Sequence, residues 1–328
     1  VLKIYAMTFV LLLLTNTRVQ VIQLVGVLSL SLGFFGAKGG LFVVATGGSY
    51  MVNGPPDSMM DGNNSLGVGL VMVIPLMYFL YLQLSNKWIR RALLAAMVLC
   101  AISVLGAYSR GAMLSIGAMS TVLWLRGKNK LIILLGAVAF IAVAIPAMPE
   151  RWVAKMDTLQ GYKGDESAMF RLYTWETAFN IGRDRFPVGG GFEWQGPEVS
   201  AKYSPLPTLV LVPHSIYFQV IGDHGFIGLV IFLSFWIAVW RQCAWLRRFG
   251  RLKPERQWAF QLGSMVQVSL AGYSVGGAFL DLAYWDLPYY LWAGVAAARY
   301  VLQREMAAAS TPAPGAAPSV APAQSRSW

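Results

Sequence analysis

The sequence predicts an all-α polytopic membrane protein, and three observations carry that prediction. Of the 328 residues, 56% are apolar and 12% are charged, about half the charge of an ordinary globular chain. Apolar runs long enough to cross a bilayer recur along most of the chain. Lys and Arg collect in the short gaps between those runs, as membrane topology demands. A water-soluble enzyme, a disordered chain and a small disulfide-built domain are excluded on composition alone.

Taken in order, the apolar runs predict nine spans, at about 1–14, 19–36, 64–82, 92–107, 111–125, 131–147, 226–243, 258–279 and 285–303. The first starts directly in apolar sequence, without Met or a basic leader. It is therefore expected to be an internal cut of a longer chain rather than a signal peptide. Orientation follows from the basic residues. Sixteen of the 26 Lys and Arg lie in one set of short loops and the C-terminal tail, among them Arg18, Arg90, Arg126, Arg247 and Arg304. Those loops are read as cytoplasmic. Most of the remaining ten lie in the long segment 148–213, where eight acids nearly balance them, so that segment is expected outside.

The resulting organisation is N-terminal spans over 1–147, an outer helical segment over 148–225, three spans over 226–305 and a disordered cytoplasmic tail over 306–328. The net charge of +11 does not point to nucleic acid, because the basic residues form no single face of a soluble domain. No internal repeat is evident, which weighs against a transporter built from inverted halves. Cys100 and Cys243 sit in or beside apolar runs and read as small apolar filler.

Cations outside the cytoplasmic loops need a reason at a membrane. Arg110, in Tyr108-Ser109-Arg110-Gly111-Ala112, lies at a turn between two spans. It reads either as an interfacial anchor or as an anion site beside free N–H groups at a helix start. In the outer segment, Met148, Trp152, Met156 and Leu159 share one helical face, which suits a helix lying in the membrane interface. Ser167 is a plausible N-cap for a helix on which Arg171, Trp175 and Ala178 share a face. A surface ion pair is the plain alternative for Arg171. Pro187 and the glycines at 189–191 end that helix in a turn expected to be mobile.

The two histidines are His214, after Pro213, and His224, between Gly222 and Gly225. His214 could take a proton from an attacking hydroxyl, whereas His224 reads as packing. No metal motif or tight carboxylate pair is present, so no metal or other cofactor is expected. Asp57, Asp61, Asp281 and Asp286 read as solvated loop residues.

In their order, these motifs resemble the O-antigen ligase and O-antigen polymerase superfamily, in its O-antigen ligase-like branch. The resemblance rests on Tyr108-Ser109-Arg110-Gly111-Ala112, Arg171-Leu172-x-x-Trp175 and Pro187-x-Gly189-x-Gly191. His214-Ser215-x-Tyr217, Gly222-x-x-Gly225-x-x-Gly228 and the stretch from Lys38-Gly39-Gly40 to Asp61-Gly62-Asn63-Asn64 complete it, over about residues 20–300. Members of that family have about a dozen spans, so further spans are expected N-terminal to this chain.

The resemblance implies a glycosyltransferase of the bacterial inner membrane with its active site facing the periplasm. It implies an undecaprenyl-pyrophosphate-linked glycan donor and a lipid A-core acceptor, joined in lipopolysaccharide assembly by a metal-independent, inverting transfer. A protein O-oligosaccharyltransferase or an O-antigen polymerase would use the same donor. Arg110, Arg171 and His214 are the implied catalytic residues. Lys38, Tyr108, Trp175 and Tyr217 are the implied substrate-binding ones.

Overall fold

The computed structural model describes residues 1–127, 129–144, 146, 148–157, 166–192, 194–208, 210 and 212–310. Twelve α-helices run through them: α1 (Leu2–Leu14), α2 (Arg18–Thr46), α3 (Asn63–Gln83), α4 (Lys87–Gly106), α5 (Arg110–Arg126) and α6 (Lys130–Ala144), then α7 (Glu150–Asp157), α8 (Glu166–Asp184), α9 (Pro197–Tyr203), α10 (Ile216–Gly250), α11 (Gln257–Gly276) and α12 (Asp286–Ser310). No strand occurs among the described residues.

Each expected span falls on a helix, and four helices (α2, α3, α4 and α10) are long and apolar enough to cross a membrane. α1, α5 and α6 are shorter, while α11 and α12 carry glutamines, serines and charges along their length. Several boundaries move, α10 among them, which runs from Ile216 to Gly250. α2 continues ten residues past its expected end at 36, so Lys38 lies on a helix instead of in a loop. α12 runs to Ser310, so residues 306–310 of the expected tail are helical, and 311–328 lie outside the described residues.

α3 and α11 form the centre of the bundle. From Leu66 to Leu80, nearly every residue of α3 is buried, and Trp258, Leu262, Val266, Leu270 and Tyr273 of α11 join the same core. A helix buried on all sides needs polar contacts that cost no exposed surface, and hydroxyls supply them. Ser269 Oγ donates to the Met72 carbonyl at 2.7 Å and Ser115 Oγ to that of Gly272 at 2.6 Å, tying α11 to α3 and α5. α2 and α4 cross closely because Gly40 has no side chain: a Cβ there would stand 2.1 Å from the Leu99 carbonyl oxygen. Cys100 and Cys243 are both buried and unpaired, in keeping with their reading as filler.

α8 packs on the first part of α10, and α9 is held to the end of α8 by Lys202 and Tyr203, which both donate to Asp184. α7 is fixed to the bundle through its aromatic residue. Trp152 is 6% exposed and its indole N–H donates to the Leu105 carbonyl at 2.9 Å. Met148 and Trp152 therefore pack on the end of α4, where the bundle offers the indole an acceptor. Leu159, expected on the same face, lies outside the described residues.

Candidate active site

The starts of α3, α8 and α10 and the α11–α12 connection meet at one end of the bundle. There they enclose a cavity of about 430 Å³, whose lining includes Ser65, Phe170, Arg171, His214 and Asp281. Two of the expected catalytic residues, Arg171 and His214, thus face one space although 43 positions separate them in sequence.

Local chemistry sets His214 in place. It follows Pro213 and takes a left-handed backbone, φ 43°, a region non-glycine residues enter at a cost of order 1–3 kcal/mol. Such a conformation persists when its neighbours over-determine it. Trp175 of α8 donates its indole N–H to the Pro213 carbonyl at 2.7 Å and stacks on Phe218 with ring centroids 5.0 Å apart. Tyr217 anchors the first turn of α10 to α11, its hydroxyl donating to the Ser274 carbonyl at 2.8 Å. Of the two residues expected to bind substrate, Trp175 thus bonds the residue before the histidine and Tyr217 ties the start of α10 to α11.

His214 Nδ1 stands 3.4 Å from Asp281 Oδ1, with the two side chains 49% and 41% exposed. The hydrogen bond from His214 holds the Asp281 carboxyl below the ordinary carboxylate range. The sequence expectation for Asp281 is a solvated loop residue. It does lie in a loop and is partly exposed, and the α11–α12 connection also turns it onto the histidine. A carboxylate at Nδ1 favours the tautomer with its proton there and leaves Nε2 as the proton acceptor. The signal for Asp281 was available in the span order, which puts 280–285 at the same end as 148–225.

Arg171 is half-buried on α8, and that helix starts at Glu166, which puts Ser167 inside its first turn instead of at the N-cap. Arg110 is the first residue of α5, after Ser109, whose hydroxyl accepts from the Ala112 N–H at 3.2 Å. Its turn abuts the cavity from two sides. Asn63 Nδ2 donates to the Ala107 carbonyl at 2.7 Å, next to lining residues Gly62 and Asn64. A Cβ on Gly111 would stand 3.6 Å from Phe279 Cβ, one residue from lining residue Leu280. Tyr108, at φ 53°, is buried with its hydroxyl bonded to the Gly48 carbonyl at 2.7 Å, so it braces this turn. Lys38 is exposed on α2 and outside the cavity lining.

The glycine run at 189–191, expected to be a mobile turn, is pinned instead. Gly190 and Gly191 donate their N–H groups to the carbonyls of Gly222 and Asp223 at 2.7 and 2.9 Å. Gly225 breaks the helical path of α10 with φ 67°, and a Cβ there would stand 2.1 Å from the Pro187 carbonyl oxygen. Both glycine motifs serve one backbone-to-backbone contact that locks α8 to α10. His224 lies at this joint, edge-on to Phe192 at 4.8 Å, as its packing reading expected.

Among the described residues no group of three His, Cys, Asp or Glu stands together as a metal site. What the cavity offers is a planar cation, a base with a carboxylate behind it, and an adjoining helix start with a second arginine. That set suits departure of an anion together with deprotonation of an alcohol.

Residues 95–233 match the model of the O-antigen ligase family. Arg110, Arg171 and His214 fall inside the matched stretch, and Asp281 lies beyond it. No curated protein matches the chain.

Proposed function

With an O-antigen ligase family domain over residues 95–233 as the premise, we propose that this chain transfers O-antigen glycan from undecaprenyl pyrophosphate to a sugar hydroxyl of lipid A-core. The observation that carries this reading is the convergence of Arg171 and His214 on one cavity, with Asp281 against the histidine. The acceptor oxygen attacks the anomeric carbon from the face opposite the pyrophosphate, and the configuration inverts. As the C–O bond forms, His214 Nε2 takes the hydroxyl proton and Asp281 stabilises the imidazolium. The bond to the pyrophosphate oxygen breaks, and undecaprenyl pyrophosphate leaves with its new charge held by the forks of Arg171 and Arg110. The arginines supply the anion stabilisation, so the transfer proceeds without a metal and persists in excess EDTA.

In this reading the cavity end faces the periplasm of the inner membrane, nine helices span the bilayer and the C-terminus is cytoplasmic. Impermeant thiol labelling of intact spheroplasts tests that orientation. Ala201→Cys and Leu252→Cys place thiols at exposed positions, while native Cys100 and Cys243 are buried. Labelling of position 201 alone supports the reading, and labelling of 252 alone overturns it.

The activity itself is tested by incubating purified protein with lipid-linked glycan and three acceptor conditions: lipid A-core, a Ser/Thr-rich protein, or none. Glycan on lipid A-core is the expected product. Glycosylated protein or lengthened donor, without the lipid A-core product, would assign the O-oligosaccharyltransferase or polymerase reaction instead.

A further inference from the structure

At the opposite end of the bundle from His214, two arginines converge on one neutral side chain. Arg126 Nη1, in the last turn of α5, and Arg247 Nη1, on α10, donate to the same oxygen, Gln267 Oε1, at 2.8 and 3.0 Å. Gln267 is fully buried and its orientation is set, because its amide N–H donates to the Trp240 carbonyl at 2.9 Å. The Trp240 ring in turn lies under the Arg126 guanidinium, 5.0 Å from ring centre to Cζ. Space is kept for the second arginine by Gly263, where a Cβ would stand 3.2 Å from Arg247 Cγ.

This arrangement is electrostatically incomplete. Two guanidinium groups share a single uncharged acceptor, and neither pairs with an acid among the described residues. Glu255 and Glu305, the carboxylates at this end, bond to neither. Arg247 Nε is buried with no hydrogen-bond partner. Gln267 sits ten residues into α11, about 15 Å along its axis, and Arg126 and Arg247 reach it from the last turns of α5 and α10. Cations brought together on a buried side chain between helices, and not neutralised by an acid, call for a function. Basic side chains gathered between helices suit lipid phosphates.

We propose that Arg126 and Arg247, oriented by Gln267, bind a phosphate group, carried by an acidic lipid headgroup or free in solution. One phosphate offers oxygens to both forks at once and supplies the missing negative charge. The site is separate from the transfer chemistry and stands whether or not that reading holds.

The test uses the full chain, purified and delipidated in neutral detergent, with thermal unfolding followed against three probes: phosphatidylglycerol, inorganic phosphate and diacylglycerol. Phosphatidylglycerol should raise the unfolding midpoint of the wild type, and diacylglycerol should not. A rise with inorganic phosphate alone keeps the site and makes its occupant the free ion. Gln267→Glu places a carboxylate of the same shape between the arginines. It should unfold at a higher temperature without ligand and bind phosphatidylglycerol about tenfold more weakly or worse, a change of about 1.4 kcal/mol. Arg126→Gln and Arg247→Gln should each weaken binding likewise, and less lipid phosphorus should co-purify with both. Equal binding by Gln267→Glu and wild type, an equal response to diacylglycerol, or no response to either phosphate probe would overturn the proposal.

Discussion

Two cavities flank the beginning of α10, each with one histidine, and they differ in what surrounds the imidazole. The 430 Å³ cavity sets His214 against a carboxylate and across from an arginine. The other, of about 570 Å³, sets His224 among Tyr5, Phe232, Phe235, Tyr284 and Tyr289, edge-on to Phe192 and Tyr284. Its nearest acid, Asp223, is already engaged by the Trp194 indole at 2.9 Å and the Tyr284 hydroxyl at 2.7 Å. One histidine thus has a charged partner and an open edge, and the other has ring contacts and a neighbour whose carboxylate is spent on structure. The two histidines differ in the partner at the ring: His214 stands before α10 with Asp281 at its Nδ1, and His224 stands within α10 among aromatic rings.

The largest expected effect breaks this comparison directly. His214→Ala should lose transfer by about 10²–10⁴-fold while still binding the lipid-linked donor, since the arginines remain. His224→Ala should stay within a few-fold of wild type. A dead His224→Ala beside a working His214→Ala would reverse the assignment of the two cavities.

Next in size, Arg171→Lys and Arg110→Lys should each cost about 10²–10³-fold in kcat, because an ammonium does not reproduce a bidentate fork on pyrophosphate. Near wild-type turnover in both, at equal membrane levels, would make them anchors. The Arg110 variant is the sharper of the two, since Arg110 adjoins the cavity through its turn.

Asp281→Asn should lower kcat by about tenfold or more, through the tautomer and the imidazolium. It also carries a pH signature with a definite sign. The folded carboxyl lies below its ordinary value because His214 holds it. Its contribution to stability is therefore full above about pH 4, the unfolded carboxylate pKa, and fades as pH falls through the lower folded value. Thermal unfolding of wild type and Asp281→Asn across that range should converge at acid pH. A gap that widens on acidification would contradict the pairing. The smallest effect belongs to Trp175→Phe, which keeps the ring stack on Phe218 and removes the hydrogen bond to Pro213, worth about 1 kcal/mol. A few-fold change in kcat/KM is expected, with KM and kcat measured separately.

Much of this was legible in the residues themselves. Apolar runs and the placement of Arg and Lys located nine helices, because a bilayer imposes length and charge rules that act on sequence locally. Arg171 and His214 could be singled out because charge and imidazole are rare in so apolar a chain. Helix ends were less legible: α2 runs on past Lys38 because its glycines pack against α4, a fact of the neighbouring helix and not of the run itself.

The sequence by itself determined the helical class, the helix order and the residue types available for anion and proton chemistry, since each follows from composition and spacing along one chain. Only the tertiary structure decided that Asp281 stands against His214, that Trp175 bonds Pro213 and Tyr217 bonds Ser274, and that the glycines at 189–191 close against Gly222 and Asp223. It alone brought Arg126 and Arg247 to Gln267, which stands 141 and 20 positions from them. The physical reason is the same in each case. A hydrogen bond or ion pair across helices depends on two helix axes, their rotation and the turn between them, and no periodicity within either helix encodes that register.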